Sequence, residues 1–423
     1  MAAPVVSSVS PNQGPASGGT TVTVSGTGFT GATAVRFGTK AATSFTVNSS
    51  TQITAVSPSG TGTVNVTVTT SQGTSTQQIP FTYVTAPALS SLSPPQGPVA
   101  GGTTVTLTGT NLTGATAVRF DGIAATSFTV NSSTQITAVS PTHAAGAAAV
   151  TVTTPGGTSN ALTFTYLALP SVTGLSPSQG PVAGGTTVTL TGTNLTGATA
   201  VRFDGVAATS FTVNSSTQIT AVSPTHAAGA AAVTVTTPGG TSPDNPNAYF
   251  FYAALPLLTA LAPASGPTTG GTTVTLTGND LLGATAVGFD AIAATSFTVD
   301  SATQITAVSP AHAAGAAAVT VTTPGGTSNP LTYSYLPAST LSALSPVQGP
   351  THAGTLITLT GSNLTTTTGV RFGSTPASFT VVFPTQITAV APAGPVGPVA
   401  VTATTPAGTS NALTYTRIEA PAI

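Results

Sequence analysis

The residues that could carry chemistry are few, and the first candidate is a glycine pattern. Residues 26–31 read G-T-G-F-T-G, which has the spacing of a dinucleotide-binding fingerprint. That fingerprint needs a helix N-terminus to receive a pyrophosphate, whereas here one strand pattern leads into another. The middle glycine, Gly28, becomes Asn111 and Asn194 in two later segments of similar sequence. Both residue types accept positive φ, so we interpret the pattern as a turn.

Histidine and aspartate are the next candidates, as metal ligands. The four histidines lie in predicted turns: His143, His226, His312 and His352. Three aspartates occupy hairpin-like turns: Asp121, Asp204 and Asp290. A zinc site needs several converging ligands and a calcium site needs several oxygen atoms, and the chain has no Cys. We therefore interpret these residues as polar loop positions, and we expect no metal and no cofactor.

The sequence also lacks a set of residues for acid–base or nucleophilic catalysis. No combination of Ser, His and acid has the spacing or the strand–turn–helix context of a hydrolase. Seven acidic residues spread over 423 positions leave no pair of neighbouring carboxylates, which glycoside hydrolysis would need. We expect that the protein is not an enzyme.

The elements that would position any site are repeated five times. A Ser-Pro or Ala-Pro step recurs, with spacings by subtraction of 83, 83, 86 and 83 residues, at Pro11, Pro94, Pro177, Pro263 and Pro346. Residues 98–130 and 181–213 are identical except that Ile123 becomes Val206. An active site is normally written once, so the repetition indicates an array. We predict five domains, called copies one to five: 1–85, 86–168, 169–254, 255–336 and 337–423.

Each copy has the pattern of a small β-sandwich. In copy two, the segment G-G-T-T-V-T-L-T-G alternates apolar Val105 and Leu107 with threonine, which is the period of a strand with one buried face. The same alternation returns around Phe120, Ile136 and Phe164, and turn residues separate the segments. About seven short strands in roughly 83 residues favour an immunoglobulin-like sandwich.

The turn and strand motifs resemble those of the IPT/TIG domain family. In copy one the matching residues are Ser10-Pro11, Gly14-Pro15, Gly18-Gly19-Thr20, Val22, Val24, Gly26, Arg36-Phe37-Gly38, Gln52-Ile53-Thr54, Pro58, Gly73-Thr74-Ser75, Phe81 and Tyr83. All five copies show this pattern. The resemblance implies an all-β chain of five tandem immunoglobulin-like sandwiches of the E-set type, arranged as an extended rod. It implies no catalytic residues, and it is closest in kind to bacterial surface proteins.

Composition limits the partners. Charged residues make up 3% of the chain, and only six are Lys or Arg, so we expect no nucleic-acid binding. No run of about 18 apolar residues occurs, so we expect no membrane insertion. The N-terminal segment M-A-A-P-V-V-S-S-V-S-P has no basic region and no long apolar region, so no signal peptide is recognisable. We expect an extracellular or cell-surface protein, with a virion-associated one as the alternative.

One segment differs from its counterparts in a way that suggests a contact. At the end of copy three, T-S-P-D-N-P-N-A-Y-F-F-Y replaces the shorter T-S-N-A-L-T-F-T-Y of copy two. Counting back from the last Tyr places Tyr249 and Phe251 where copy two has outward-facing threonines. Exposed aromatic residues are favoured at interfaces. With Asp244, Asn245 and Asn247 they form our candidate contact patch for a protein or glycan; alternatively they pack on copy four or on the inserted loop.

These observations favour a non-enzymatic structural or adhesive repeat protein. The linkers are short and contain proline, so neighbouring copies should be stiffly oriented. At about 3.3 Å per strand residue, each copy should be roughly 35–40 Å long and five in line should span roughly 170–200 Å. The prediction is a semi-rigid extracellular spacer or a fibre-forming surface protein that self-assembles into filaments. The alternatives are an array of carbohydrate-binding modules and a phage-tail or virion decoration protein.

Overall fold

The computed structural model describes residues 2–419, and all regular elements in that range are β-strands. Copy one contains strands β1 to β10: Val5–Ser10, Gln13–Pro15, Thr21–Thr27, Ala34–Phe37, Lys40–Ala41, Ser44–Ser49, Gln52–Val56, Gly62–Thr70, Gly73–Thr74 and Pro80–Val84. Copy two contains β11 to β20: Ala88–Ser93, Gln96–Pro98, Thr104–Thr110, Ala117–Phe120, Ile123–Ala124, Ser127–Ser132, Gln135–Val139, Gly146–Thr154, Gly157–Thr158 and Leu162–Leu167.

The later copies repeat the same ten elements. Copy three contains β21 to β30: Ser171–Ser176, Gln179–Pro181, Thr187–Thr193, Ala200–Phe203, Val206–Ala207, Ser210–Ser215, Gln218–Val222, Gly229–Thr237, Gly240–Thr241 and Tyr249–Ala253. Copy four contains β31 to β40: Leu257–Ala262, Ser265–Pro267, Thr273–Asn279, Ala286–Phe289, Ile292–Ala293, Ser296–Ser301, Gln304–Val308, Gly315–Thr323, Gly326–Thr327 and Leu331–Leu336. Copy five contains β41 to β50: Thr340–Ser345, Gln348–Pro350, Leu356–Ser362, Gly369–Phe372, Thr375–Ala377, Phe379–Phe383, Gln386–Val390, Gly397–Thr405, Gly408–Thr409 and Leu413–Ile418.

Two sheets face each other in every copy. In copy two, one sheet has the order β11-β13-β17-β16, and the other has the order β12-β20-β18-β14-β15 with β19 paired to β18. β12 and β20 run parallel, with Gln96 opposite Thr165, and the remaining pairs are antiparallel. The other four copies have the same order. The prediction of five tandem immunoglobulin-like sandwiches is therefore confirmed.

The core of each copy follows from the alternation in sequence. In copy two, Val105 and Leu107 of β13 are fully buried, together with Phe120 and Phe164 from the facing sheet. The two phenylalanine rings meet edge to face, with centroids 5.4 Å apart, an arrangement that contributes about 0.5–1.5 kcal/mol beyond area burial. Ten strands are present where the sequence suggested about seven. The additional ones are two or three residues long, which is too short for an alternation to be visible.

The following copy holds the linker that leads into it. The side-chain amide of Asn111 donates a hydrogen bond to the carbonyl oxygen of Ala86 at 3.1 Å. Asn194 and Asn363 make the equivalent bonds to Leu169 and Ala338. Because each linker is bonded at a backbone carbonyl, its conformation depends on the domain it enters as well as on its own sequence. None of residues 2–419 lies in a helix long and apolar enough to cross a membrane.

Candidate functional site

The predicted contact patch lies at the end of copy three, on β30 and the loop before it. β30 pairs antiparallel with β28, and the register sets Tyr249 opposite Ala232 and Phe251 opposite Ala230. Phe250 and Tyr252 point into the core, whereas Tyr249 is 38% exposed and Phe251 is 54% exposed. The counting from Tyr252 that assigned both aromatic residues to the outer face agrees with this register.

The inserted loop is ordered by its own polar groups. The Tyr249 hydroxyl donates a hydrogen bond to Oδ2 of Asp244 at 2.7 Å, and Oδ1 of Asn245 accepts one from the backbone N–H of Asn247 at 2.9 Å. The hydrogen bond to Asp244, more than burial or charge, raises the pKa of Tyr249 above its ordinary value. Tyr249 is therefore held against the inserted loop. Packing on this loop is one of the alternatives to a contact patch that the sequence left open.

The insertion also removes two hydrogen bonds that copies two, four and five make. In copy two, Oδ1 of Asn160 accepts a hydrogen bond from the Leu89 N–H at 2.9 Å, and its Nδ2 donates to the Leu89 carbonyl at 3.0 Å. Asn329 and Asn411 do the same in copies four and five. Pro243 follows Ser242 in copy three, where asparagine follows the equivalent serine in those copies. Proline has no side-chain polar group, so this bridge cannot form.

Phe251 lines a groove between copies three and four. The groove has a volume of about 470 Å³, and Phe251 lines the side that belongs to copy three. The side that belongs to copy four includes Asp280, Leu282 and Pro324. Leu282 is 62% exposed. Neither Asp280 nor Leu282 belongs to the contact patch predicted from the sequence, although a comparison of G-N-D-L-L-G with the G-T-N-L-T-G of copies two and three contains the signal.

Asp280 occupies the position of the linker-binding asparagines. Its φ of 55° matches the 58° of Asn111 and the 56° of Asn194, so the backbone turn is unchanged. A carboxylate has no hydrogen to donate to the linker carbonyl. The ion pairs that the structure shows among residues 2–419 involve three other aspartates. Asp280 therefore has no counter-ion within the described part of the chain.

The structure brings the turn histidines and turn aspartates together in copies two, three and four. Nε2 of His143 lies 3.7 Å from Oδ2 of Asp121, and the imidazole ring stacks on Tyr166 with centroids 4.7 Å apart. Nδ1 of His143 lies 2.8 Å from the carbonyl oxygen of Ala144. The equivalent distances to the carboxylate are 3.8 Å for His226 and Asp204, and 3.1 Å for His312 and Asp290.

From the sequence, these histidines and aspartates are predicted as separate loop residues, and their pairing is not predicted. Each pair ties the turn of one hairpin to the loop that precedes the longest strand of its copy. Residues 2–419 contain no group of three or more His, Cys, Asp or Glu that could hold a metal ion. In this arrangement the histidine contacts the aspartate carboxylate and stacks on the tyrosine ring, which is a structural contact within one copy.

Copies one and five have other side chains in the region where copies two to four have the histidine and aspartate pair. The backbone N–H of His143 donates to Val99, and the equivalent bonds in copies one and five come from Gly60 and Gly394. In copy one, Nζ of Lys40 donates to the Ser59 carbonyl oxygen at 2.8 Å. In copy five, the Arg417 guanidinium donates hydrogen bonds to the carbonyl oxygen of Pro392. Copies two, three and four have both the aspartate and the histidine, and copies one and five have glycine at both positions.

The chain matches one protein family along most of its length. The IPT/TIG domain family matches residues 4–83, 87–166, 170–250, 256–335 and 339–416. Fibrocystin-L of Mus musculus is 30% identical over 302 residues, a segment that covers 66% of this chain and 7% of that protein. The chain therefore spans a small part of this relative.

Several solved structures match this chain at low sequence identity. The extracellular region of plexin A4 matches with a TM-score of 0.30 and 17% identity, covering 96% of this chain and 43% of that chain. Invasin, a bacterial integrin-binding protein, matches with a TM-score of 0.27 and 17% identity, covering 78% and 79%. A protein crystallised with a xylogluco-oligosaccharide matches with a TM-score of 0.29 and 19% identity, covering 85% and 74%.

Proposed function

Because the chain belongs to the IPT/TIG domain family, we propose that it is a non-enzymatic repeat protein that spaces and presents contact surfaces outside a cell. The observation that carries the proposal is the hydrogen bond from the asparagine of one copy to the linker before it, repeated at three of the four junctions. A linker bonded in this way transmits the orientation of one domain to the next. A rod of near-identical units then holds its two ends at a defined distance from each other.

The chemistry of the side chains supports a role without catalysis. In each of copies two to four, a histidine pairs with an aspartate, as His143 does with Asp121. There the imidazole ring is stacked on Tyr166, and its Nδ1 lies at hydrogen-bond distance from a backbone carbonyl oxygen. Both ring nitrogens and one face of the ring are in contact with groups of the same copy. This is the use expected of a structural residue rather than of a general base.

The location and the domain boundaries belong to the same proposal. We place the protein at the cell surface or in the extracellular space, with a virion-associated array as the alternative. Threonine hydroxyl groups, rather than charged side chains, make the polar contacts on the outer faces, as in the pairs Thr153 with Thr158 and Thr236 with Thr241. The division at residues 85, 168, 254 and 336 stays a prediction that limited proteolysis can test.

Small-angle X-ray scattering on the purified chain tests the spacer. A rod of five copies in line should give a maximum dimension of roughly 170–200 Å. The triple variant N111A, N194A and N363A removes the bond to three linkers and should broaden the distribution of distances. A maximum dimension below roughly 100 Å for the wild-type chain would contradict the spacer. Filaments that form with rising concentration, seen by electron microscopy, would support the fibre-forming variant of the proposal.

A further inference from the structure

The groove between copies three and four is lined by residues of both copies that differ from their counterparts at the other junctions. The position of Phe251 is threonine or serine at the three other junctions: Thr82, Thr165 and Ser334. The position of Leu282 is threonine there: Thr113, Thr196 and Thr365. Two polar residues have thus become apolar on opposite walls of one groove. The two residues are 31 positions apart by subtraction and belong to different sandwiches.

Packing of the two domains against each other does not account for these apolar residues. Phe251 remains 54% exposed and Leu282 remains 62% exposed, so they leave most of their surface to solvent. The substitution that accompanies them also removes a hydrogen bond, because Asp280 cannot make the linker bond that Asn111 makes. A junction selected for stiffness alone would keep this bond.

Asp280 indicates the charge of the ligand. An asparagine offers both a donor and an acceptor to a neutral hydroxylated ligand such as a sugar, so a change to aspartate adds little for it. What the carboxylate adds is a negative charge, and no Lys or Arg is among the residues that line the groove. An exposed aromatic ring beside a carboxylate suits an ammonium or guanidinium group, which interacts with both.

We propose that this groove binds a basic peptide segment of a partner protein. The Arg or Lys of the segment pairs with Asp280, and a neighbouring apolar side chain packs between Phe251 and Leu282. The volume of about 470 Å³ is within the range of protein ligand sites. The proposal rests on the function proposed above, because a spacer needs a surface to present, and it assigns that surface to one junction of the four.

Binding to an array of immobilised eight-residue peptides tests the site. The peptides carry Arg, Lys, Gln or Glu at a central position, flanked by Leu, Phe, Ala or Gly, and the probe is the labelled full-length chain. We expect retention on Arg and Lys peptides with Leu or Phe beside the charge. Fluorescence anisotropy should then show an affinity about tenfold lower for D280N. F251T and L282T should each weaken binding by a few-fold to about tenfold.

These variants are matched to the chain itself. Copies two and three carry Asn and Thr at the positions of Asp280 and Leu282, and copies one and two carry Thr at the position of Phe251, so each variant should keep the wild-type unfolding temperature. A transplant provides the reverse test: T165F, N194D and T196L together should create a second site at the junction of copies two and three. The stoichiometry of peptide binding should then rise from one to about two per chain.

Three results would overturn the proposal. The first is retention of no peptide above the level of the triple variant F251T, D280N and L282T. The second is equal binding of Gln and Arg peptides. The third is binding of neutral oligosaccharides that F251T abolishes and D280N leaves unchanged, which would identify a glycan site. Scattering on the same samples separates the two proposals, since a rod that binds no peptide contradicts only the groove, and a globule that binds peptide contradicts only the spacer.

Discussion

A methyl group added at Gly325 tests whether the linkers are held against the domains they enter. Gly325 lies in the turn between β38 and β39, and a Cβ built on it would overlap the carbonyl oxygen of Ala254 in the linker from copy three. It would also lie 2.6 Å from the carbonyl carbon of Ala254. Both atoms are backbone, so no side-chain rotation relieves the overlap. Gly156 and Gly239 stand in the same relation to the two preceding linkers.

The size of the effect follows from that overlap. Forcing an extra methyl group into a packed site costs about 1–3 kcal/mol. For a domain of this size, a loss of 1 kcal/mol lowers the unfolding temperature by about 4–8 °C. We therefore expect G325A to lower the unfolding temperature of one of the five copies by several degrees. To the extent that the linker yields instead, the angle at this junction changes and the scattering curve shifts.

Differential scanning calorimetry and small-angle scattering measure the two outcomes together. G369A is the matched control, because a Cβ built on Gly369 meets no atom within 4 Å. Copy five carries Ala407 at the position of Gly325, and its linker has Pro337 where copy four's linker has Ala254, so A407G should change little. If G325A has the same unfolding temperature and scattering curve as G369A, the linkers are not pressed against these turns and the reasoning is wrong.

Three further predictions concern histidine and tyrosine side chains. H312A should lose about 0.5–1.5 kcal/mol of stability with the stacked ring, whereas H352A in an exposed turn should lose nothing, as judged by thermal unfolding. Burial, more than any neighbouring charge, raises the pKa of Tyr335 to about 12. The folded state therefore holds this proton more tightly than the unfolded state, so Tyr335 contributes stability that is complete below pH 10 and is lost as the pH rises towards 12; a pH series of denaturant unfolding should show a smaller loss for Y335F. D244N should lower the pKa of Tyr249 towards the ordinary value in a spectrophotometric titration, and an unchanged titration would show that the hydrogen bond to Asp244 is absent in solution.

The fold could be predicted because its signals are local. Val105 and Leu107 alternate with threonine, and this alternation alone assigns them to one face of a strand. The outward placement of Tyr249 and Phe251 follows from the same counting. The short strands could not be predicted, because two residues such as Ile123–Ala124 form a strand only through the partner that the fold supplies.

The pairing of His143 with Asp121 illustrates what the sequence leaves open. The two residues are 22 positions apart by subtraction, and each reads as an ordinary turn residue. Their contact depends on the path of the hairpin formed by β14 and β15 relative to the loop before β18. That path is set by the packing of the sheets and not by either turn. The Gly pair of copies one and five at these positions could have suggested the coupling, since both residues change together.

The sequence by itself determined the number of copies, the strand period, the turn positions and the shortage of charge, because each of these is written in neighbouring residues or in their repetition. Only the tertiary structure decided which residues share a surface across a junction. Phe251 and Leu282 line one groove because the linker orients two sandwiches, and Asp280 faces that groove because a turn with positive φ projects it there. Such contacts join residues whose separation along the chain carries no periodic signal, so they appear only when the domains are placed in space.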